Sequence, residues 1–233
     1  HEVFSALGKN GFDPLSAMAL AAADTSVLRT GLKAVCDCYE RWLKGQEDLL
    51  VKKVTGAHAV TARVNLDQCA NVLGRMQRAV DEICSDPLLA RAFRLSNLAM
   101  HTQHQWDLEK SKHGALRWRP FQLGFLLLSA VSAAKSDHAD REVMDLLWFP
   151  TGGGKTEAYL ALIAMVAFYR RLSAEKSNGG GVAALMRYTL RLLTTQQFAR
   201  STAMILACEA IRAGRISAPD KSSLKSLAPF SIG

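Results

Sequence analysis

The stretch from Val143 to Thr156 runs from apolar residues through three consecutive glycines into a Lys-Thr pair, and a helix-like pattern follows it. We predict a strand over Val143–Phe149, a glycine-rich loop, and a helix over Thr156–Leu172. Glycine suits places where the backbone approaches a ligand closely or adopts positive φ angles. A strand that ends in such a loop and continues into a helix is typical of the βαβ unit of a parallel sheet. This order restricts the fold more than any other feature of the chain.

The patterns on both sides of this stretch predict further elements. A helix is predicted over Pro120–Ala134 before it, and a second strand over Val182–Met186 after it. A long helix over about Leu190–Ala213 comes next. We therefore expect an α/β fold in which residues 115–233 form the first part of a parallel-sheet domain, with helices packed on the sheet.

The first half of the sequence is predicted to be helical. Apolar residues recur there at steps of three and four, the spacing of one face of an amphipathic helix. Asp86 and Pro87 look like a helix N-cap followed by proline at the first helical position. We expect residues 1–114 to form a helical accessory domain. The predicted buried positions are Leu28, Leu32, Val35, Tyr39 and Trp42 in one helix, Leu66, Cys69, Leu73, Met76, Val80 and Ile83 in the next, and Leu89, Phe93, Leu98 and Trp106 in a third.

The composition is that of a globular protein, with 49% hydrophobic and 21% charged residues. The longest apolar runs are too short to cross a bilayer, so we expect no membrane span. No basic stretch followed by an apolar segment opens the sequence, and we therefore expect no secretory signal. Five cysteines are an odd number, and neither Cys36 nor Cys38, which stand two apart, has a histidine partner at zinc spacing. This pattern favours reduced thiols in a cytoplasmic protein.

The net charge of +8 is unevenly distributed along the chain. Residues 1–150 carry 18 Lys and Arg against 17 Asp and Glu, whereas residues 151–233 carry 11 against 4. The positive excess therefore lies on and after the glycines, where a phosphate-rich partner such as nucleic acid would be held. A solvated basic surface would give the same balance, so charge alone favours nucleic acid only weakly.

The glycines and the Lys-Thr pair have the chemistry of a phosphate site. Backbone N–H groups of Gly152–Gly154 and of the following helical turn can converge on phosphate oxygens, and the helix macrodipole adds partial positive charge. Lys155 can reach the β- and γ-phosphates of ATP, and the Thr156 hydroxyl can bind Mg²⁺. Phe149 stands where the strict pattern G-x-x-x-x-G-K-[ST] has its first glycine.

Two segments around the glycines resemble motifs of superfamily 2 helicases. The stretch Thr151–Thr156 matches in full the variant T-G-x-G-K-T of that family. Upstream, "RPFQ" is similar to the element that precedes the glycine loop in many of its members. This resemblance implies that Gln122, with Arg119 beside it, contacts the adenine of ATP. An amide suits that role because it both donates and accepts a hydrogen bond.

Downstream, "MRYTLRLLTTQQFAR" resembles motif Ia of the same family in the spacing of its Arg, Leu and Gln, with Thr189 in place of a proline. In the family this segment contacts the sugar-phosphate backbone of nucleic acid. An ordinary amphipathic helix with surface arginines would explain part of the pattern equally well. The implied nucleic-acid residues are Arg187, Thr189, Arg191, Gln196 and Arg200.

Over roughly residues 85–213 the sequence resembles the helicase-like component of the DISARM anti-phage defence system. The most specific parts are "WFPTGGGKTEAYL" and "MRYTLRLLTTQQF". The resemblance implies a RecA-like fold for residues 115–233 and a large ATP-dependent helicase or translocase, with ATP and Mg²⁺ as cofactors. It also implies DNA and a second defence subunit as partners.

ATP hydrolysis in that family needs an acidic D-E-x-[HD] motif and arginines from a second RecA-like lobe, and the sequence contains neither. We therefore expect the chain to be the N-terminal portion of a longer ATPase and to hydrolyse nothing by itself. Two alternatives remain open. One is a non-catalytic DNA- or partner-binding scaffold with a vestigial loop, and the other is a small P-loop kinase, which leaves "RPFQ" unexplained.

Overall fold

The computed structural model describes residues 2–5, 7–8, 11–150, 152–174, 179–187 and 191–233. Within these ranges the chain forms eight α-helices, preceded by a 3₁₀ turn at Glu2–Phe4, and none of them is long and apolar enough to cross a membrane. The helices are α1 (Ala17–Ala22), α2 (Thr25–Lys53), α3 (Ala57–Ser85), α4 (Pro87–Trp106), α5 (Leu108–Ser111), α6 (Pro120–Ala134), α7 (Lys155–Leu172) and α8 (Arg191–Arg212). The predicted helices are confirmed, and α6 has the predicted bounds.

The start of α4 follows from a local cap. Asp86 accepts hydrogen bonds from the backbone N–H groups of Leu88 and Leu89 at 2.9 and 3.2 Å, and Pro87 stands in the first turn, where no N–H is needed. Burial raises the pKa of Asp86, but these hydrogen bonds and the Lys135 ammonium at 3.2 Å outweigh it, so the pKa lies below its ordinary value. The cap predicted at Asp86 is therefore confirmed.

Helix α4 lies at the centre of the packing, where it contacts α1, α3, α7 and α8. Its buried residues include Leu89, Phe93 and Leu95. The buried indole N–H of Trp118 donates to Oδ1 of the buried Asn97 at 2.8 Å, so these enclosed polar groups satisfy each other. Helices from both sides of residue 115 contribute to one apolar core, and α7 is held in place by this core.

The predicted parallel sheet is not seen in the described residues, and the prediction of an α/β, RecA-like sheet domain is wrong for this structure. The described ranges contain no strand, only an isolated antiparallel bridge between Ser16 and Arg117. Residues 143–149 and 182–186, predicted as strands, are irregular, and Trp148 is 87% exposed. A strand is stable only when a neighbouring strand supplies its hydrogen bonds, and among the described residues neither segment lies beside one.

Residues 140–145 are held by helices α3 and α6 instead of by a sheet. Arg75 of α3 donates to the two carboxylate oxygens of Asp145 at 2.6 and 3.0 Å and to Asp140 at 3.0 Å. Ser129 of α6 also donates to Asp145, at 3.1 Å. An ion pair therefore fixes the segment that leads to the glycines.

Most of the predicted buried positions are confirmed, and two tryptophans are exceptions. The fully buried ones are Leu28, Leu32, Val35, Leu73, Met76, Val80, Ile83, Leu89, Phe93 and Leu98, while Tyr39, Leu66 and Cys69 are half-buried. Trp42 and Trp106 are exposed, and Trp42 stacks on Tyr39 with ring centres 5.5 Å apart. Periodicity identifies the apolar face of a helix, but it does not show how far the packed neighbours extend along that face.

Candidate phosphate-binding turn

Gly152, Gly153 and Gly154, the glycine turn, lead directly into α7. Gly152 has a φ of 78° and Gly154 one of 87°, in the left-handed region that favours glycine. The Gly153 N–H donates to the Pro150 carbonyl at 3.1 Å, and Gly154 forms the N-cap of α7. Gly152 is exposed, and the other two glycines are half-buried. The turn therefore brings the N-terminus of an 18-residue helix to the surface, where an anion can reach it.

Two side chains from the start of α6 hold the turn. Arg119 donates from Nη1 to the Gly153 carbonyl at 2.8 Å, and Gln122 donates from Nε2 to the Gly154 carbonyl at 2.7 Å. The Oε1 of Gln122 accepts the backbone N–H of Arg119 at 2.8 Å, and this side chain is buried. Both ends of the Gln122 amide are thus used within the protein, and the two residues predicted to lie near adenine are fixed to the glycine turn.

Phe149 stands at the position of the first glycine in the strict pattern, and its contacts explain how a large side chain fits there. Its ring stacks on Phe121 of α6, with ring centres 3.9 Å apart and planes at 13°. A Cβ on Gly153 would lie 2.7 Å from Cδ1 of Phe149 and 2.9 Å from the Pro150 carbonyl oxygen, so a side chain does not fit there. The phenylalanine packs beside the turn and ties the start of the loop to α6.

Lys155 and Thr156 form the first turn of α7. The Lys155 ammonium contacts the backbone carbonyl oxygens of Phe149 and Pro150, the second at 3.2 Å. Thr156 is half-buried directly after it. The predicted nucleotide-binding residues within the described ranges therefore gather around the N-terminus of α7.

The predicted nucleic-acid residues are less closely grouped. Arg187 and Gln196 are exposed, one before α8 and one within it, and Arg191 is the first residue of that helix. The predicted site residues Thr151 and Thr189 lie outside the described residues, as does the side chain of Arg191. The exposed members of the set lie along α8 and the segment that precedes it.

Arg200 differs from these residues because it is paired within the protein. Its guanidinium forms an ion pair with Glu157 on α7, and both side chains are mostly enclosed. The sequence predicted neither a role for Glu157 nor the ion pair between Arg75 and Asp145. Both contacts join residues far apart in sequence, and neither spacing nor periodicity could reveal them.

Side chains that could bind a metal ion do not cluster in the described part of the chain. No three His, Cys, Asp or Glu side chains lie close enough there to hold an ion. All five cysteines are free thiols. Burial raises the pKa of Cys36 to about 12 and raises that of Cys208 as well, so these thiols stay protonated near neutral pH.

Replacing Gly154 with alanine is expected to disturb the glycine turn. A Cβ there would lie 2.7 Å from Nε2 of Gln122, and the left-handed backbone would cost about 1–2 kcal/mol for a residue with a side chain. Gly152→Ala is the matched control, because its φ is also positive and its Cβ would have nothing within 4 Å. We expect Gly154→Ala to lose more free energy of unfolding in a denaturant titration. Equal losses would mean that the Gln122 contact contributes nothing.

With this geometry, the start of α7 is a candidate phosphate site. No family model matches the chain. In an alignment of 220 residues it is 40% identical to the DISARM protein DrmA of Bacillus paralicheniformis. The match covers 87% of this chain, which spans 18% of the length of that relative. The chain is therefore DrmA-like, and its resemblance to a DISARM component, inferred from the sequence, is confirmed.

Proposed function

We propose that this chain is the ATP-binding part of a DISARM anti-phage defence protein, and that the full-length protein is a superfamily 2 helicase or translocase. It would act on invading DNA in the cytoplasm together with a second defence subunit. Similarity to the DISARM protein DrmA supports the role in defence. The arrangement of residues around the glycine turn supports the ATP site.

The observation that carries the proposal is a glycine turn at the start of α7 with a lysine folded against it. The first N–H groups of a helix have no acceptor within the helix, so an anion can bind them, and the macrodipole favours negative charge there. A Cβ on Gly153 or Gly154 would meet neighbouring atoms at 2.7 Å, so the backbone depends on glycine at this point. These features fit the phosphate chain of ATP.

Each residue has a distinct role in the proposed site. Lys155 would exchange two loop carbonyl oxygens for oxygens of the β- and γ-phosphates, since a hydrogen bond between charged groups is stronger than one to a neutral carbonyl. The Thr156 hydroxyl would hold Mg²⁺, which neutralises charge on the phosphates. Arg119 and Gln122 hold the turn from α6 and, by the resemblance, border the adenine.

The proposed DNA track follows α8 and the segment before it. Arg187 and Gln196 are exposed along this path, and residues 151–233 carry 11 Lys and Arg against 4 Asp and Glu. Contacts from basic side chains to phosphate do not depend on base sequence, as a protein that moves along DNA requires.

Hydrogen exchange in the full-length protein tests the ATP site. Adding Mg²⁺ and a non-hydrolysable ATP analogue at 100 times its dissociation constant is expected to slow exchange of the Gly152–Thr156 amides by up to about 100-fold. The C-terminal part of α2 (residues 44–53), which is largely exposed, serves as the internal control because it lies outside the proposed site. Unchanged exchange at Gly152–Thr156 under these conditions would refute ATP binding at the turn.

One detail of the site favours a second function. Lys155 already contacts two carbonyl oxygens of its own loop, and both the oxygen and the nitrogen of the Gln122 amide are hydrogen-bonded inside the protein. A non-catalytic DNA- or partner-binding scaffold could keep such a turn without using ATP. The exchange experiment separates the two functions, because a scaffold would bind DNA while its glycine turn gave no response to the analogue.

A further inference from the structure

The first turn of α7 carries charged side chains on two different sides. Successive residues of an α-helix are rotated by about 100°, so Lys155 and Glu157 are separated by about 200°. The Lys155 ammonium contacts the loop before the glycine turn, whereas the Glu157 carboxylate contacts α8. The same helical turn therefore joins the candidate phosphate site to the helix that carries the candidate DNA residues.

Glu157 brings several helices together. Its Oε1 pairs with Nη2 of Arg200 on α8, and Nζ of Lys110 on α5 lies 3.7 Å from the same oxygen. The Arg200 carbonyl in turn accepts a hydrogen bond of 2.9 Å from Nε2 of Gln103 on α4. The Glu157 and Arg200 side chains are only 22% and 30% exposed. Their ion pair is therefore shielded from water more than a typical surface pair.

The hydrogen bonding of this ion pair is incomplete. Oε2 of Glu157 and Nε of Arg200 are both buried, and neither has a hydrogen-bond partner among the described residues. An arginine and a carboxylate often form two parallel hydrogen bonds, and buried unpaired polar atoms are unfavourable. The unpaired Glu157 oxygen lies beside the turn, 3.6 Å from the position of a Cβ on Gly154.

We propose that the Glu157–Arg200 pair couples the glycine turn to α8, so that nucleotide at the turn changes the affinity of α8 for DNA. This inference rests on the proposed function. Movement of the turn would allow Nε of Arg200 to bond Oε2 of Glu157, which draws α8 towards α7. The arrangements with one and with two hydrogen bonds supply the two states that coupling between sites requires. Arg200 is then a positioning residue.

Nucleotide affinities of the full-length protein test this coupling. The dissociation constant of a fluorescent ATP analogue is measured with and without a saturating single-stranded DNA oligonucleotide, and the ratio gives the coupling factor. Coupling of this kind is typically about 5–150-fold, and it must be the same when nucleotide affects DNA. In Glu157→Gln, which keeps the size but removes the charge, we expect the ratio to fall to about one. Nucleotide affinity without DNA is expected to stay near that of the unmodified protein.

Two further variants control the measurement. Glu40→Gln removes a carboxylate from an exposed pair with Lys44 on α2, and we expect it to leave the coupling ratio unchanged. Arg200→Lys keeps the positive charge but lacks the planar fork needed for two parallel hydrogen bonds, so it is expected to lose the coupling as well. If Glu157→Gln does not fold, Arg200→Lys is measured in its place.

Three results would overturn the proposal. The first is a coupling ratio in Glu157→Gln equal to that of the unmodified protein, and the second is a ratio of one in the unmodified protein. The third is weaker DNA binding by Arg200→Gln without nucleotide, with the slope of its salt dependence reduced by about one, because Arg200 would then contact DNA itself. Failure of the unmodified protein to bind the analogue would refute the proposed ATP site itself. That result is distinguishable from binding without coupling, which would refute only the role of the Glu157–Arg200 pair.

Discussion

Lys155→Ala is expected to lower the DNA-stimulated ATPase rate of the full-length protein by about 10²–10³-fold. In the proposed site the Lys155 ammonium faces the β- and γ-phosphates, where charge redistributes as the terminal phosphoryl group is transferred. A positioned donor of this kind acts mainly on the transition state, so kcat is expected to fall more than the affinity for ATP. Phosphate release at saturating ATP and DNA measures the effect.

Matched variants make this measurement specific. Lys52→Ala removes a lysine from the exposed last turn of α2 and is expected to leave the rate unchanged. Because Lys155 also contacts two carbonyl oxygens of its loop, thermal unfolding is recorded in parallel to separate a loss of rate from a loss of folded protein. Undiminished turnover in a folded Lys155→Ala variant would refute the ATP site.

Arg75→Met is expected to lower the free energy of unfolding by about 3 kcal/mol. Arg75 bridges two carboxylates, and the Arg75 and Asp145 side chains are only 14% and 12% exposed. The hydrogen bond to Asp145 is the main reason that the pKa of Arg75 is raised, and the guanidinium therefore stays charged. Methionine would fill part of the same space but leave Asp145 and Asp140 without a cation. Urea denaturation measures the loss.

The same variant tests whether this ion pair supports the glycine turn. Asp145 lies in the segment that leads to the turn, so Arg75→Met is also expected to bind an ATP analogue more weakly while still folded. Arg63→Met is the control, since its pair with Glu47 is exposed and spans 4.0 Å, and we expect it to lose at most about 1 kcal/mol. Equal stability losses in the two variants would contradict the role assigned to Arg75.

The helices could be predicted because their signals are local. Asp86 and Pro87 mark the start of α4 within a few residues, and the cap forms as expected. The bounds of α6 follow from Pro120 at its start and an unbroken apolar pattern up to Ala134. Such features depend only on neighbouring residues in the sequence, so a single sequence is enough to predict them.

The sheet could not be predicted in the same way. Apolar residues at 143–149 favour a strand, but a strand forms only when its N–H and carbonyl groups meet another strand. Within the described ranges these residues are irregular, and Asp145 is bonded to Arg75 of α3. The pattern therefore identified a segment with strand propensity, while contacts distant in sequence decided its structure.

The candidate site was predicted in its types of residue but not in its internal contacts. Sequence motifs identify the glycines, Lys155 and Gln122, and these residues lie together at the start of α7. The Glu157–Arg200 pair joins residues 43 positions apart, and no periodicity relates them. The hydrogen bond that Gln122 donates to the Gly154 carbonyl likewise depends on how α6 packs beside α7.

The stacked rings of Phe121 and Phe149 have a consequence for the thermodynamics of ligand capture. A loop with glycine at position 149 could sample many conformations and would lose that freedom when a ligand arrived. With the phenylalanine, the entrance of the loop is anchored to α6 when the chain folds, so less entropy remains to be lost on association. A ligand would then bind to a loop that is already ordered. The loss of conformational entropy on binding would be smaller than for a loop that becomes ordered only when the ligand arrives.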